Sequence, residues 1–231
     1  MRNMMMMAAA AWVAAGAAVA ADSGDAGLYT LQKQVWESAP SAAEIAAAYP
    51  KGALAKGVAG QAVLRCWLGS TGGLDDCRVA SETPRGEGFG AAAKSLASKF
   101  RILMDSVPRD VQGPLVVDVP VAFETPGKTR TLAQPEWLRT LAPDRVQEVF
   151  PPKAADAGLA TGRAVLDCLA DARGNMTGCQ VVSEDPAGMD FGPAAIRVAQ
   201  AMGVNPWTED GHAADGAHVR FALRLNKAGA Q

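Results

Sequence analysis

The chain has 231 residues, and its 22 basic side chains against 24 acidic ones give a formal net charge of −2. No basic stripe breaks this balance, so there is no electrostatic case for nucleic acid, whose phosphates call for a positively charged face. The length admits one or two domains, and an internal repeat decides for two.

In chain order, the N-terminus reads first as a secretory signal. Arg2 is the only charge before Asp22, and Met4–Ala21 carries none. Ala18-Val19-Ala20 or Val19-Ala20-Ala21 offers small residues for cleavage. The rival reading is an uncleaved anchor, since 18 apolar residues fall just inside membrane-spanning range. Their richness in weakly hydrophobic Ala favours cleavage, so residues 1–21 are expected to be a signal peptide. On either reading the rest of the chain lies outside the cytoplasm, with the periplasm as the expected location. Residues 22–35 follow as a short polar leader.

The first module is expected over 36–123. Ser41-Ala42-Ala43-Glu44 has capping-box spacing ahead of an Ala-rich helix that stops near Tyr49-Pro50. A strand is predicted over 61–68, a Gly-rich loop over 69–73 and a second strand over 76–81. Alternation places Ala62, Leu64, Cys66 and Leu68 on one face, with Cys77 and Val79 on one face of the partner strand. The opposite face carries Arg65. Ser81-Glu82-Thr83-Pro84 reads as turn chemistry. Phe89, Ala92, Ala93, Leu96 and Phe100 then form one helical stripe, and an apolar strand closes the unit over 115–123.

Residues 124–135, rich in Pro, Gly, Thr and charge, read as a linker. The second module, 136–231, repeats the plan. Asp144 is its candidate helix cap, and its first helix runs to Phe150-Pro151. Strands follow over 163–170 and 178–183, then Ser183-Glu184-Asp185-Pro186, then a helix over 191–202. The last strand is Val219–Leu225. Val219, Phe221, Leu223 and Leu225 face inward there, while His218, Arg220, Ala222 and Arg224 face outward. Trp36 and Trp137, offset by 101, are expected to pack the leading segment of each module onto its domain.

The repeat itself is direct. Residues 60–100 align without a gap on 162–202, offset by 102, and 17 of the 41 pairs are identical. Each copy is therefore expected to be an α+β unit in which a three-stranded antiparallel sheet (β-β-α-β) packs one face on a helix, preceded by a short helix. All four cysteines lie inside the repeat. Cys66/Cys77 and Cys168/Cys179 share a separation of 11 around a Gly-containing loop. In an exported chain this reads as two hairpin-clipping disulfides, each stabilising by about 2–3 kcal/mol. Zinc is the weaker alternative, because close CxxC pairs are missing and His212 and His218 belong to one copy.

No nucleophile–base set recurs in both copies, so no catalytic residues, cofactor or metal are assigned. Ser81/Ser183 and Glu82/Glu184 do recur and are read as turn formers.

At these residues the chain resembles the C-terminal domain of TonB, the periplasmic energy transducer. The matching features are Tyr49-Pro50 and Phe150-Pro151, the Gly-turn hairpin, and Phe-Gly-x-Ala-Ala at 89–93 and 191–195. A Pro follows each helix (Pro108, Pro206), and the last strand of the first copy has the Val-x-Val-Pro-Val-x-Phe form at 117–123. The resemblance spans most of 36–225 as two copies. It implies a module that binds an extended segment of an envelope protein, outer-membrane receptors above all, as an added strand.

By that resemblance the exposed edge is the last strand of each copy. Pro120 lacks an N–H and weakens the first, so the second, Val219, Arg220, Phe221, Ala222, Leu223, Arg224 and Leu225, is the expected binding edge. A proline at Phe221 is expected to break it. Arg220 and Arg224 suit an acidic segment, although two solvated arginines on an outer face is the simpler reading. Two alternatives stay open: a membrane-anchored energy transducer, and a structural or dimerising envelope protein whose edges pair with each other. Against the transducer, the 14-residue leader reaches at most ~50 Å and no intramembrane acid or His is present to couple to a motor. Contact with a membrane is expected only if Met4–Ala21 stays uncleaved.

Overall fold

The computed structural model of the chain describes residues 28–110 and 113–229. The expected signal segment lies outside the described residues. No helix among the described residues is long and apolar enough to cross a membrane.

The first half runs β1 (Tyr29–Thr30), β2 (Trp36–Ser38), α1 (Ala42–Ala48), α2 (Lys51–Ala55), β3 (Gly60–Leu68), β4 (Leu74–Thr83), α3 (Phe89–Leu96), β5 (Arg101–Ile102) and β6 (Leu115–Phe123). The second half repeats it as β7 (Thr131–Leu132), β8 (Trp137–Arg139), α4 (Pro143–Glu148), α5 (Pro152–Asp156), β9 (Thr161–Ala170), β10 (Met176–Asp185), α6 (Phe191–Ala199), β11 (Gly203–Val204) and β12 (His218–Asn226). The two main sheets have matching orders, β1-β6-β3-β4 and β7-β12-β9-β10. Small two-stranded sheets, β2-β5 and β8-β11, accompany them.

The sheets differ from the expected three-stranded antiparallel form. Tyr29–Thr30, from the leader, pairs in parallel with Leu115–Val116, and Thr131–Leu132, from the linker, pairs in parallel with His218–Val219. Each last strand is thus flanked on its outer side, but only at its beginning. The helical starts also differ in part. Ser41 caps α1 through a complete capping box with Glu44, whereas α4 is capped by Ala142 with Pro143 at its first turn rather than by Asp144. Proline's fixed φ and missing N–H suit that position. A second short helix follows each Pro50 and Pro151, for which these prolines are the N-cap residues.

The core faces of β3 and β9 follow the alternation, whereas Val79 and Val181, expected on the inward cysteine face of the partner strands, lie over Gly90 and Gly192 at the helix starts and stay exposed. Ala62, Leu64 and Cys66 of β3 and Ala164, Leu166 and Cys168 of β9 are all buried, as are Phe89, Ala93, Leu96 and Phe100 and their counterparts Phe191, Ala195, Val198 and Met202. Cys66 is bonded to Cys77 and Cys168 to Cys179, each pair directly opposed across its hairpin with Cα atoms 4.0 and 3.9 Å apart. A left-handed residue, Asp76 or Gly178, next to each second cysteine lets the strand bulge there.

Residues shared by the two copies are explained by packing. A Cβ at Gly60 or Gly162 would run into the ring of Phe89 or Phe191, so only glycine lets the phenylalanine lie flat against the first strand. Glu82 and Glu184 are not turn formers, because they lie within β4 and β10. Their carboxylates reach the start of the following helix: Glu82 accepts from Gly88 N–H at 2.9 Å and Gly90 N–H at 3.1 Å, and Glu184 accepts from Gly188, Met189 and Gly192. The helix cap residues, Gly88 and Asp190, make no side-chain cap of their own, so a carboxylate from the sheet satisfies the orphan amides. Desolvation pushes the Glu82 carboxyl up, but the amides of Gly90, Gly88, Phe89 and Glu87 together outweigh it and hold the group below its usual range.

Candidate functional site

The outer edges of β6 and β12 have the same origin and different fates. Within β6, Val116 accepts from Leu31 N–H at 2.9 Å and Ala122 N–H donates to Gly211 O at 2.7 Å. Antiparallel pairing alternates, so Val116, Asp118, Pro120 and Ala122 turn their backbone groups outward. Pro120 has no N–H to offer, and its carbonyl accepts from Trp207 Nε1 at 3.0 Å. The later part of the first copy's edge, at Pro120 and Ala122, is therefore occupied by a loop of the second.

That loop is anchored deeply. Trp207, 2% exposed, belongs to the core of the first copy. Its ring stands edge-on to Phe100 at 4.8 Å, and Phe100 in turn lies 5.0 Å from Trp36. Asn205, which is buried, receives Trp36 N–H on its Oδ1 and donates from Nδ2 to Gln34 O and Glu136 Oε2. Thr208–Gly211 closes as a turn, and Gly211, at φ +87°, presses so close to Pro120 that an added Cβ would sit 2.7 Å from backbone carbon. At the loop's far end Asp215 Oδ2 accepts from Ala42 N–H at the start of α1.

Among the described residues no loop reaches the backbone of the β12 edge, although α4 packs against the strand. Ala217 O accepts from Ala170 N–H and Lys227 N–H donates to Ala160 O, so Val219, Phe221, Leu223 and Leu225 turn their backbone groups to β9. Arg220, Ala222 and Arg224 turn theirs outward. His218 N–H donates to Arg130 O, and the flanking strand β7 pairs no further than Val219. Beyond it, the outward backbone groups of Ala222 and Arg224 have no partner among the described residues. A proline at Phe221 would thus remove a bond of the β12–β9 ladder. The outward N–H belongs to Ala222, the counterpart of Pro120 at the repeat offset of 102.

The other edges, β4 and β10, are less suited to pairing. Each is interrupted by two register shifts, whereas β12 pairs with β9 over nine consecutive residues without one. Bulges blunt an edge as a template.

Side chains differ across the two edges as well. Val119 and Val121 of β6 are fully buried, while their counterparts Phe221 and Leu223 are half-buried. Trp36 is buried, and Trp137, half-buried, stands edge-on to Phe221 at 4.9 Å. On the outer face Arg65 and Asp118 form a two-pronged ion pair at 2.7 Å. At the equivalent place the signs are exchanged as Asp167 and Arg220, but Asp167 is engaged by His218 Nδ1 at 2.9 Å. Arg224 lies directly opposite Arg163.

Of the remaining residues singled out from sequence, Tyr49 packs edge-on against Phe89 and Phe123 and donates its hydroxyl to Val58 O at 2.7 Å, and Phe150 packs on Phe191. These are core roles. Among the described residues no three His, Cys, Asp or Glu side chains come together as metal ligands. The sequence reading missed Trp207 and Asn205. Their signal was a Pro-Trp pair inside an otherwise polar loop.

No family model and no curated protein matches the chain. Among solved structures it is similar to the solution NMR structure of the TonB C-terminal domain of Pseudomonas aeruginosa, at 20% identity and a TM-score of 0.29, over 43% of this chain and 96% of that one.

Proposed function

We propose that this is an exported, periplasmic binding protein that captures an extended segment of a cell-envelope polypeptide by adding it as a strand to β12. The observation that carries the reading is the asymmetry of the edges: β6 is occupied from within the chain, and β12 past Val219 is not. Unpaired N–H and C=O groups along a regular strand are satisfied by an added strand at little cost in order. Two disulfides within hairpins fit an oxidising compartment, and the TonB-like motifs suggest an outer-membrane receptor as the class of partner.

The same edge is a template for a second copy. Two copies joined there would gather Arg220 and Arg224 of both onto one continuous face, where like charges oppose pairing. A heterologous partner is therefore the preferred occupant.

The test is a photo-crosslinker at Asn226, the last residue of β12, in the full chain, exposed to outer-membrane extract, with and without Ala222→Pro. Ala222→Pro gives the second copy the residue that the first already has, and it leaves the β9 ladder intact. Crosslinking to an envelope polypeptide that is lost in Ala222→Pro is the expected result. Equal crosslinking in both, with circular dichroism and disulfides unchanged, would contradict strand addition.

A further inference from the structure

The open edge has two unlike sides, and together they specify a partner. Resting on the strand-addition reading above, we infer that the segment captured at β12 alternates acidic and apolar side chains. An added strand places successive side chains on opposite faces, so each face of the sheet next to β12 reads every second residue of the occupant.

On the outer face, Arg220 and Arg224 project from β12 and Arg163 lies across from Arg224. Like charges directly opposed destabilise a sheet unless something neutralises them. Asp167 lies across from Arg220, but neither Arg220 nor Arg224 makes an ion pair among the described residues. Asp167 is bonded to His218, and Asp185, across from Arg163 on β10, makes no ion pair among the described residues. In the first copy Arg65, which lies across from Arg78, is bridged to Asp118 of the last strand. The second copy thus has positive charge bordering its open edge where the first has a closed ion pair. Carboxylates at alternate positions of an added strand would meet Arg220 and Arg224.

On the inner face the demand is apolar. Phe221, Leu223 and Trp137 are half-buried where Val119, Val121 and Trp36 are buried. In the first copy the loop that occupies the edge brings Trp207 and Ala213 into the core on this side. Trp137 and α4 already lie against this side of β12, and the parts of Phe221 and Leu223 they leave exposed would be covered by apolar side chains of the occupant, interleaved with its carboxylates.

The probes are eight-residue peptides with both ends blocked: one alternating Glu and Val, one alternating Lys and Val, and one with the Glu and Val residues grouped in blocks. Each is titrated into the full, disulfide-bonded chain while the amide signals of Ala222 and Arg224 are followed. The Glu/Val alternation is expected to shift both signals. It should bind about tenfold more tightly than the Lys/Val or block peptides, as two exposed ion pairs allow. That advantage should vanish in Arg220→Gln/Arg224→Gln. Equal binding of Glu/Val and Lys/Val, with both amides shifted, would overturn the acidic partner and leave strand addition standing. Failure of every peptide to move the Ala222 and Arg224 signals at millimolar concentration would overturn both.

Discussion

The outer edges of β6 and β12 show what a duplication can do with one template. Both strands end the same β-β-α-β unit, and both receive a short parallel strand at their start. In the first, proline removes one outward donor, Trp207 engages Pro120 O and Gly211 engages Ala122 N–H. In the second, Ala222 keeps its donor, and no counterpart of Trp207 arrives among the described residues. One copy serves as a platform for the other's loop, and past Val219 the second keeps the outward backbone groups of Ala222 and Arg224 unpaired among the described residues. An exposed edge is a hazard for aggregation, and Arg220 and Arg224 are the kind of charges that keep such an edge from joining its like.

The largest expected effect comes from removing the plug. Trp207→Ala should destabilise the chain by about 3–5 kcal/mol, the range for deleting a large buried aromatic, read by chemical denaturation. It should also raise the exchange rate of the Ala122 amide. A loss below about 1 kcal/mol would mean the loop is a surface contact rather than part of the core. Next comes the cap shared by both copies. Glu82→Ala and Glu184→Ala should each cost about 1–2 kcal/mol, because each strips the amides at a helix start. An effect on one copy alone would show that the two halves are less alike than their topology.

The smallest effect is electrostatic and confined to the first copy. Hydrogen bonding from Lys99, then from the Ser41 backbone, lowers the Glu44 carboxyl from 4.5 to about 2. A carboxyl depressed in the folded state contributes stability that is fully present above its unfolded value and is lost as the pH falls through its folded one. The wild type should therefore lose stability between about pH 4.5 and 2, and Glu44→Gln should show less of that loss. The side chain is 38% exposed, which keeps the effect small. An unchanged pH profile in Glu44→Gln would remove the capping box from the account.

Much of this architecture was legible in the sequence because it is local or repeated. The offset of 102 exposed the unit, the shared separation of 11 pointed to the cysteine pairs, and the stripe from Phe89 to Leu96 gave the helix its buried face, although the helix ends there and Phe100 follows a 3-10 turn. Ser41 and Glu44 announced their own capping box. What escaped was non-local or too short to have a period. Two-residue strands such as Tyr29–Thr30 leave no alternation to read. Glu82 caps a helix six to eight residues away from within a strand, which no turn motif encodes. Trp207 reaches the core of the other copy across 87 residues to Pro120, and nothing in Pro206-Trp207-Thr208 tells which surface it will meet. The direction of each backbone group on β12 was likewise beyond alternation of side chains alone. That is why the edge-breaking proline belongs at Ala222 and not at Phe221.

The central claim is that one edge is filled and the other open. Residue-resolved hydrogen exchange on the isolated, disulfide-bonded protein tests it most directly. The account expects the Ala122 amide to be strongly protected by Gly211 while the Ala222 and Arg224 amides exchange at nearly the rate of exposed backbone. Strong protection of Ala222 and Arg224 in the absence of any partner would contradict it.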